Sequence, residues 1–243
     1  LFGKHMNDWT KSGGSGWGSL TSHPWGFGHV ECTSGAENYV GWDQCVNGVV
    51  TSYTGNDTSN YCTDVESTAI AAAIAAVKPP FALYYGCKAT HSDGNEAVPA
   101  TRHANSAVTI TTEARRNPEP NGSQPQWYYD FFPGQWTDAE LQTFKGYERS
   151  ALRTALSADE LISALFTALA ARGLDKTTVV FIDIDNGFAG GDHGNDAKGT
   201  LFEECINSGL RVILPAAMGL SGTRTQRVSA IDMARSEERR VGK

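Results

Sequence analysis

"FIDIDNGFAGGDHGNDAKGTLFEE", residues 181–204, sets six acidic side chains, two Asn, one His and one Lys among five glycines. It continues the run "TTVVFIDI" (Thr177–Ile184), whose β-branched and apolar residues predict a buried strand. Charge and flexible backbone belong at the end of such a strand when a ligand is held there, because open α/β sheets bind ligands at the carboxyl ends of their strands. In an extended chain Asp183 and Asp185 share a face, and Asn186 with Gly187 opens the turn that leaves the strand. Two carboxylates on one face repel unless a cation or a proton separates them, and oxygen ligands of this kind suit Ca²⁺ or Mg²⁺. An ordinary Asp-Asn-Gly turn accounts for the same residues without a metal.

Working outward, "TDVESTAIAAAIAAVKPP" predicts a helix from about Asp64 to Val77, with Thr63 or Asp64 as N-cap and Pro79-Pro80 as the stop. Phe81–Cys87 reads as a short apolar strand. Lys88 and His91 follow it as Asp185 and Asn186 follow theirs, so the two strand ends are expected to meet on one rim. A surface or core histidine is the plainer reading of His91 taken alone. Five prolines between 99 and 133 exclude long helices from 93–136. From Thr137 to Arg172 the apolar residues recur at helical spacing, with Gly173 as the C′ residue, and Leu210–Pro215 is a further strand. Residues 8–61, rich in Gly, Ser, Thr, Asn and Trp, read as loops and short strands. Helices alternating with buried strands predict an α/β fold: a mainly parallel sheet flanked by helices.

The chain has 243 residues, 40% of them hydrophobic, enough for one substantial core. Twenty basic against 27 acidic residues give a net charge of −7 without an Arg/Lys stripe, which argues against nucleic acid as a partner. No apolar run is expected to span a membrane. The five cysteines form no CxxC pair and no zinc spacing. A Cys32–Cys45 bridge fits an oxidising compartment, and buried thiols fit the same sequence. The sequons at Asn56 and Asn121 are compatible with secretion.

Several segments resemble the sulfatase family in sequence order. "TTVVFIDIDNGFAGGDHGNDAKGTLFEECI" is similar to the strand ending in Asp-Asn-Gly, followed by Gly-(Glu/Asp)-His and Gly-Lys-Gly-Thr-x-(Tyr/Phe)-Glu-Glu. "LFGKHMN", "YCTDV", "PPFALYYGCKATHS", "VPATRHA", "YERSALRTALSADELISAL" and "VSAIDMA" resemble further family segments, most like the branch of N-acetylglucosamine-6-sulfatase and related arylsulfatases. The resemblance runs from Leu1 to Ala234 and implies an alkaline-phosphatase-like α/β domain over residues 1–234. It also implies hydrolysis of a sulfate ester on a carbohydrate or aryl alcohol, and a secreted, periplasmic or lysosomal location.

Residue by residue, the resemblance implies that Asp185 and Asn186 ligate Ca²⁺, with Mg²⁺ as the alternative. Lys4, His91 and Lys198 are implied to contact the sulfate or the leaving oxygen as catalytic and substrate-binding residues, with His193 as a substrate contact. Two ammonium groups and a metal would neutralise a sulfuryl group in transfer, and an imidazole can protonate the departing alkoxide. His5 and Met6 depart from the family pattern, as do Thr90 and Ala197. The largest departure concerns the nucleophile, a formylglycine made from a Cys/Ser-x-Pro/Ala-x-Arg motif. No Cys or Ser here begins that motif. The expectation is therefore a chain truncated at both ends, inactive as it stands, with the nucleophile in a segment upstream of Leu1 and a non-native tail at 235–243. Two other readings stay open: a phosphate or phosphonate monoester hydrolase of the same superfamily, and a non-catalytic carbohydrate-binding protein, which Trp9, Trp17, Trp25 and Trp42 would suit.

Overall fold

The computed structural model describes residues 2–3, 31–34, 38–46, 49–92, 96–110, 122–123, 125–131, 136–229 and 232–233. Two helices form the framework. α1 (Cys62–Ala76) is rich in Ala, the strongest helix former, and gives way at Val77 to extended backbone ahead of Pro79-Pro80. It begins slightly before the expected N-cap, with Tyr61 in that position and no side-chain cap. The longest helix, which we number α3 (Asp138–Ala171), starts and stops where the sequence predicts. Thr137 and Glu140 form a reciprocal capping box, and Gly173 takes the left-handed conformation at φ 67°.

The second half of α3 lies beside α1. Ile70 and Ile74 pack on Leu161, Leu169 and Leu174, all under 10% exposed, with Phe81, Leu83, Tyr85 and Val180 around them. At one end Arg102 ties Asp64 of α1 to Glu160 of α3. At the other, the Arg172 guanidinium donates to the carbonyls of Ile74 and Val77, both at 2.6 Å. These two ties fix the helices side by side in the same direction, and Arg172 satisfies carbonyls that the end of α1 leaves without helical partners. By length and composition one stretch of α3 is apolar enough to cross a bilayer. Leu161 and Leu169 of this helix are buried against α1.

The described strands form three small sheets. β1 (Phe2–Gly3) pairs in parallel with β5 (Tyr85–Gly86). β2 (Glu31–Ser34), β3 (Trp42–Val46) and β4 (Val49–Tyr53) make an antiparallel meander, with Trp42 stacked on Tyr53 at 4.6 Å. β6 (Val180–Asp183) pairs with β7 (Leu210–Ile213) in antiparallel register, Asp183 opposite Leu210.

The α/β class stands, and two details of the expected sheet differ. Only Tyr85–Gly86 of the 81–87 run is paired. The connection from β6 to β7 contains only a one-turn helix, α4 (Glu203–Ile206), where a parallel pair would need a crossover helix, so the strands return antiparallel. Within the proline-rich stretch a short helix forms, α2 (Gln126–Phe131). The tail at 235–243 lies outside the described residues.

Candidate active site

β6 delivers its carboxyl end into the turn 184–187. Gly187 is obligatory there: a Cβ would lie 2.0 Å from the Glu204 carbonyl oxygen. Its N–H donates to the Cys205 carbonyl at 3.0 Å, so the chain leaves β6 and returns to the same point 18 residues later. Between them the loop is held by its own backbone. Ala189 donates to Ala197 at 3.0 Å, Gly191 to Asn195 at 2.9 Å, and buried Asn195 accepts the Ala197 N–H on its Oδ1 at 2.9 Å. Gly190, Gly191, Gly194 and Gly199 all have positive φ. The glycines thus let a charged loop fold tightly against the end of a strand.

Three of the expected residues meet here. Asp185 is exposed, and its Oδ1 accepts the Asn186 N–H at 2.9 Å. The Asn186 side chain donates to the Gly187 carbonyl, while its Oδ1 accepts from Lys198 Nζ at 3.2 Å. Asp183, Ile184 and Asp185 line one cavity of about 300 Å³ with Ile206, Ser208, Val228 and Met233, β6 having ended at Asp183.

His193 joins from the far side of the loop. It holds φ 61°, a left-handed conformation uncommon outside glycine. Its ring stacks on Phe202 at 4.2 Å, and Nε2 lies 3.2 Å from Glu204 Oε2. A carboxylate only accepts, so Nε2 carries a proton and Nδ1 is left as the second ring position. The Tyr128 hydroxyl of α2 donates to the His193 carbonyl, and burial pushes that phenol above its ordinary value. Tyr128, Phe202 and Glu204 are not legible in the sequence as partners of His193, because the contact with Tyr128 joins residues 65 positions apart with no periodicity between them.

His91 belongs to a second cluster. Its carbonyl accepts the Tyr39 hydroxyl at 2.8 Å, and Tyr39 stacks on Tyr61 at 5.7 Å. Nδ1 lies 2.8 Å from the Ser92 carbonyl, which only accepts, so Nδ1 carries a proton. Buried Lys88 sets its Nζ 4.8 Å over the Tyr39 ring. Among the described residues no hydrogen bond, ion pair or ring contact joins His91 to Asp185, Asn186 or Lys198. β5 and β6 are linked through the α1/α3 core, which Tyr85 and Val180 both touch. Lys4 follows β1 directly and lies outside the described residues, as do His5, Met6, Trp9, Trp17, Trp25 and Asn121.

Asp185 and Asn186 carry the oxygen atoms that a cation ligand needs. Both offer oxygen to a hard cation, but together they supply at most three ligand atoms, whereas Ca²⁺ takes about 6–8. Among the described residues no group of three His, Cys, Asp or Glu is placed to hold a metal. The pair fits as part of such a site, with further oxygens from elsewhere.

A sequence model of the family described as Sulfatase matches residues 9–235. The chain belongs to the sulfatase family. No curated protein matches it in sequence. Among solved structures it is similar to BT4656 in complex with its substrate D-glucosamine-2-N,6-O-disulfate, with TM-score 0.63 and 21% identity over 80% of this chain. It is also similar to yidJ of Bacteroides fragilis, assigned to the sulfatases, with TM-score 0.57 and 19% identity over 78% of this chain. These likenesses show the sulfatase fold. The chain spans 51% of the first and 38% of the second.

Proposed function

We propose that these residues belong to a longer sulfatase that hydrolyses a sulfate ester on a sugar, with an aryl sulfate as a simpler substrate. The observation that carries the reading is the pairing of Lys198 Nζ with Asn186 Oδ1 at 3.2 Å, beside Asp185, at the carboxyl end of β6. An exposed ammonium next to oxygen ligands suits the tetrahedral, singly charged OSO3⁻ group of a sulfate ester better than a neutral sugar face. The fold likeness to BT4656, whose structure holds a disulfated glucosamine, favours an amino-sugar sulfate.

Lys198 keeps N–H donors beyond its bond to Asn186 and directs them at sulfuryl oxygens. Lys4 is the second ammonium of the same kind. A divalent cation, Ca²⁺ or Mg²⁺, held in part by Asp185 and Asn186, supplies Lewis-acid neutralisation of the sulfuryl group. The nucleophile is a formylglycine outside these 243 residues. His91, its Nδ1–H held by the Ser92 carbonyl, acts as the imidazolium and gives its Nε2 proton to the departing alkoxide, ending as the neutral ring. His193, its ring locked by Phe202 and Glu204, orients substrate through Nδ1.

The test compares kcat/KM of the longer protein on an aryl sulfate and on the matching aryl phosphate, with the Asp185→Ala variant alongside. Preference for the sulfate, lost by at least about 100-fold in the variant, is expected. Preference for the phosphate assigns the chain to the phosphohydrolase branch. Glycan binding with turnover of neither ester leaves the carbohydrate-binding reading.

A further inference from the structure

Tyr39 lies in an irregular stretch just ahead of β3, yet it holds the turn that presents His91. It is fully buried, and a phenol so placed needs an acceptor for its hydroxyl. The Tyr39 hydroxyl donates to the His91 carbonyl at 2.8 Å and to the Lys88 carbonyl at 3.4 Å. The His91 N–H closes the same turn by donating to the Lys88 carbonyl at 2.8 Å. Both backbone polar groups of His91 are therefore bonded and its Nδ1–H is held by Ser92, while the residue itself is exposed. Tyr39 is a firm anchor for this clamp. Its ring stacks on Tyr61 with 12° between the planes, and the Lys88 ammonium lies over it. Its own carbonyl accepts the Cys62 N–H at 3.1 Å, where α1 begins. The turn of His91 is thus fastened to the start of α1. Tyr61, equally buried, sends its hydroxyl to the Val98 carbonyl instead, at 2.9 Å.

We propose that Tyr39 is a positioning residue for proton delivery: its hydrogen bond to the His91 carbonyl fixes the place from which the imidazole protonates the departing alkoxide. The proposal rests on the reading of His91 as the acid. In that step the bond from sulfur to the ester oxygen breaks and its electron pair stays on the oxygen. The Nε2 proton moves onto that oxygen and leaves a neutral ring. Transfer requires the two heavy atoms to lie within about 2.6–3.2 Å, so a turn free to drift by about 1 Å loses the step. Lys198, Asp185 and Asn186 stand on the turn and loop after β6, so sulfate binding does not depend on the clamp. The need for the acid depends on the leaving group. A sugar alkoxide must be protonated as it departs, whereas 4-nitrophenolate leaves as a stable anion.

The experiment measures kcat/KM of the full-length enzyme on a sugar O-sulfate and on 4-nitrophenyl sulfate, for the unsubstituted chain, Tyr39→Phe, Tyr61→Phe and His91→Ala. Tyr39→Phe keeps the ring stack and removes the donor. It should lower kcat/KM on the sugar ester about 10–100-fold and on the nitrophenyl ester by less than about threefold. Tyr61→Phe should lower the melting temperature and leave the ratio between the two esters unchanged. An equal loss on both esters in Tyr39→Phe, no loss on either, or a ratio moved as far by Tyr61→Phe overturns the proposal. His91→Ala separates the two ways of failing. If it slows the sugar ester selectively and Tyr39→Phe does not, His91 is the acid and the clamp is wrong. If it slows both esters alike or spares the sugar ester, the reading of His91 fails and the clamp falls with it. Should Tyr39→Phe not fold, NMR of the unsubstituted, tyrosine-labelled enzyme decides. A Tyr39 hydroxyl proton slow enough in exchange to be seen is expected, and rapid exchange with water overturns the clamp.

Discussion

Two charged clusters of this sulfatase chain, each assembled from family-like segments, differ in what they leave unspent. Around Arg102 the segments "YCTDV", "VPATRHA" and "ADELI" converge. The guanidinium grips Asp64 bidentately at 2.6 Å on both arms, reaches Glu160 Oε2 through Nε at 3.0 Å and a second short contact, and His103 lies 3.0 Å from the other oxygen of Glu160. Those charges hold α1, the 101–103 turn and α3 together, and Glu160 sits below its ordinary range because Arg102 donates to it. Around Asn186 the same kinds of groups are exposed and sparsely bonded. Lys198 makes one hydrogen bond, to a neutral amide oxygen. Motif membership therefore does not tell which charges are spent in packing; the number of donors and acceptors left over does.

The comparison breaks most readily at its largest expected effect. Lys198→Ala in the full-length enzyme should lower kcat/KM on an aryl sulfate by about 10²–10³-fold while the melting temperature stays put. A drop in melting temperature as large as that of the scaffold variants would erase the distinction. Next, Leu161→Ala opens a hole between α1 and α3 and should cost about 2–5 kcal/mol in a denaturant titration, with KM of the remaining folded enzyme unchanged. Arg102→Ala leaves Asp64 and Glu160 facing each other without their cation, and about 1.5–3 kcal/mol should be lost. Arg102→Lys should recover little, since one ammonium cannot span both carboxylates as the fork does.

The smallest effect sharpens the comparison through pH. The Glu160 carboxyl is held below 4.5, its ordinary value, by hydrogen bonds from Arg102. Its contribution is full above 4.5 and is lost as pH falls through the folded value. With Glu160 49% exposed, that contribution is about 0.2–1 kcal/mol. Glu160→Gln should flatten this part of the stability profile between about pH 5 and 2 and leave the profile above it unchanged.

What was legible in the sequence follows the range of the interactions. α3 was readable to within a residue at each end because its signals, Thr137 with Glu140 and Gly173, are local. The turn after β6 was readable because Asp-Asn-Gly states its own backbone needs, and the close approach at Gly187 supplies the physical reason. The antiparallel return of β7 was hidden because nothing in "TTVVFIDI" or "LRVILP" records how the link between them folds. The destination of Arg102 was equally hidden, since its partners lie 38 and 58 residues away and only the packing of α1 on α3 brings them within reach. At the site, the adjacency of Asp185, Asn186 and Lys198 follows from one compact loop, whereas the footing of His91 on Tyr39 joins residues 52 positions apart.

The seal between Gly187 and Cys205 has a further use. A loop whose two stems are joined by a backbone hydrogen bond behaves as an exchangeable cassette: residues 188–204 enter and leave at one point, and closure entropy rises only slowly with length. Loops of other lengths and charges could be grafted between these stems while β6 goes on delivering Asp185 and Asn186 to the same place. Any such graft would have to carry a lysine and a histidine in place of Lys198 and His193, which lie inside the exchanged segment.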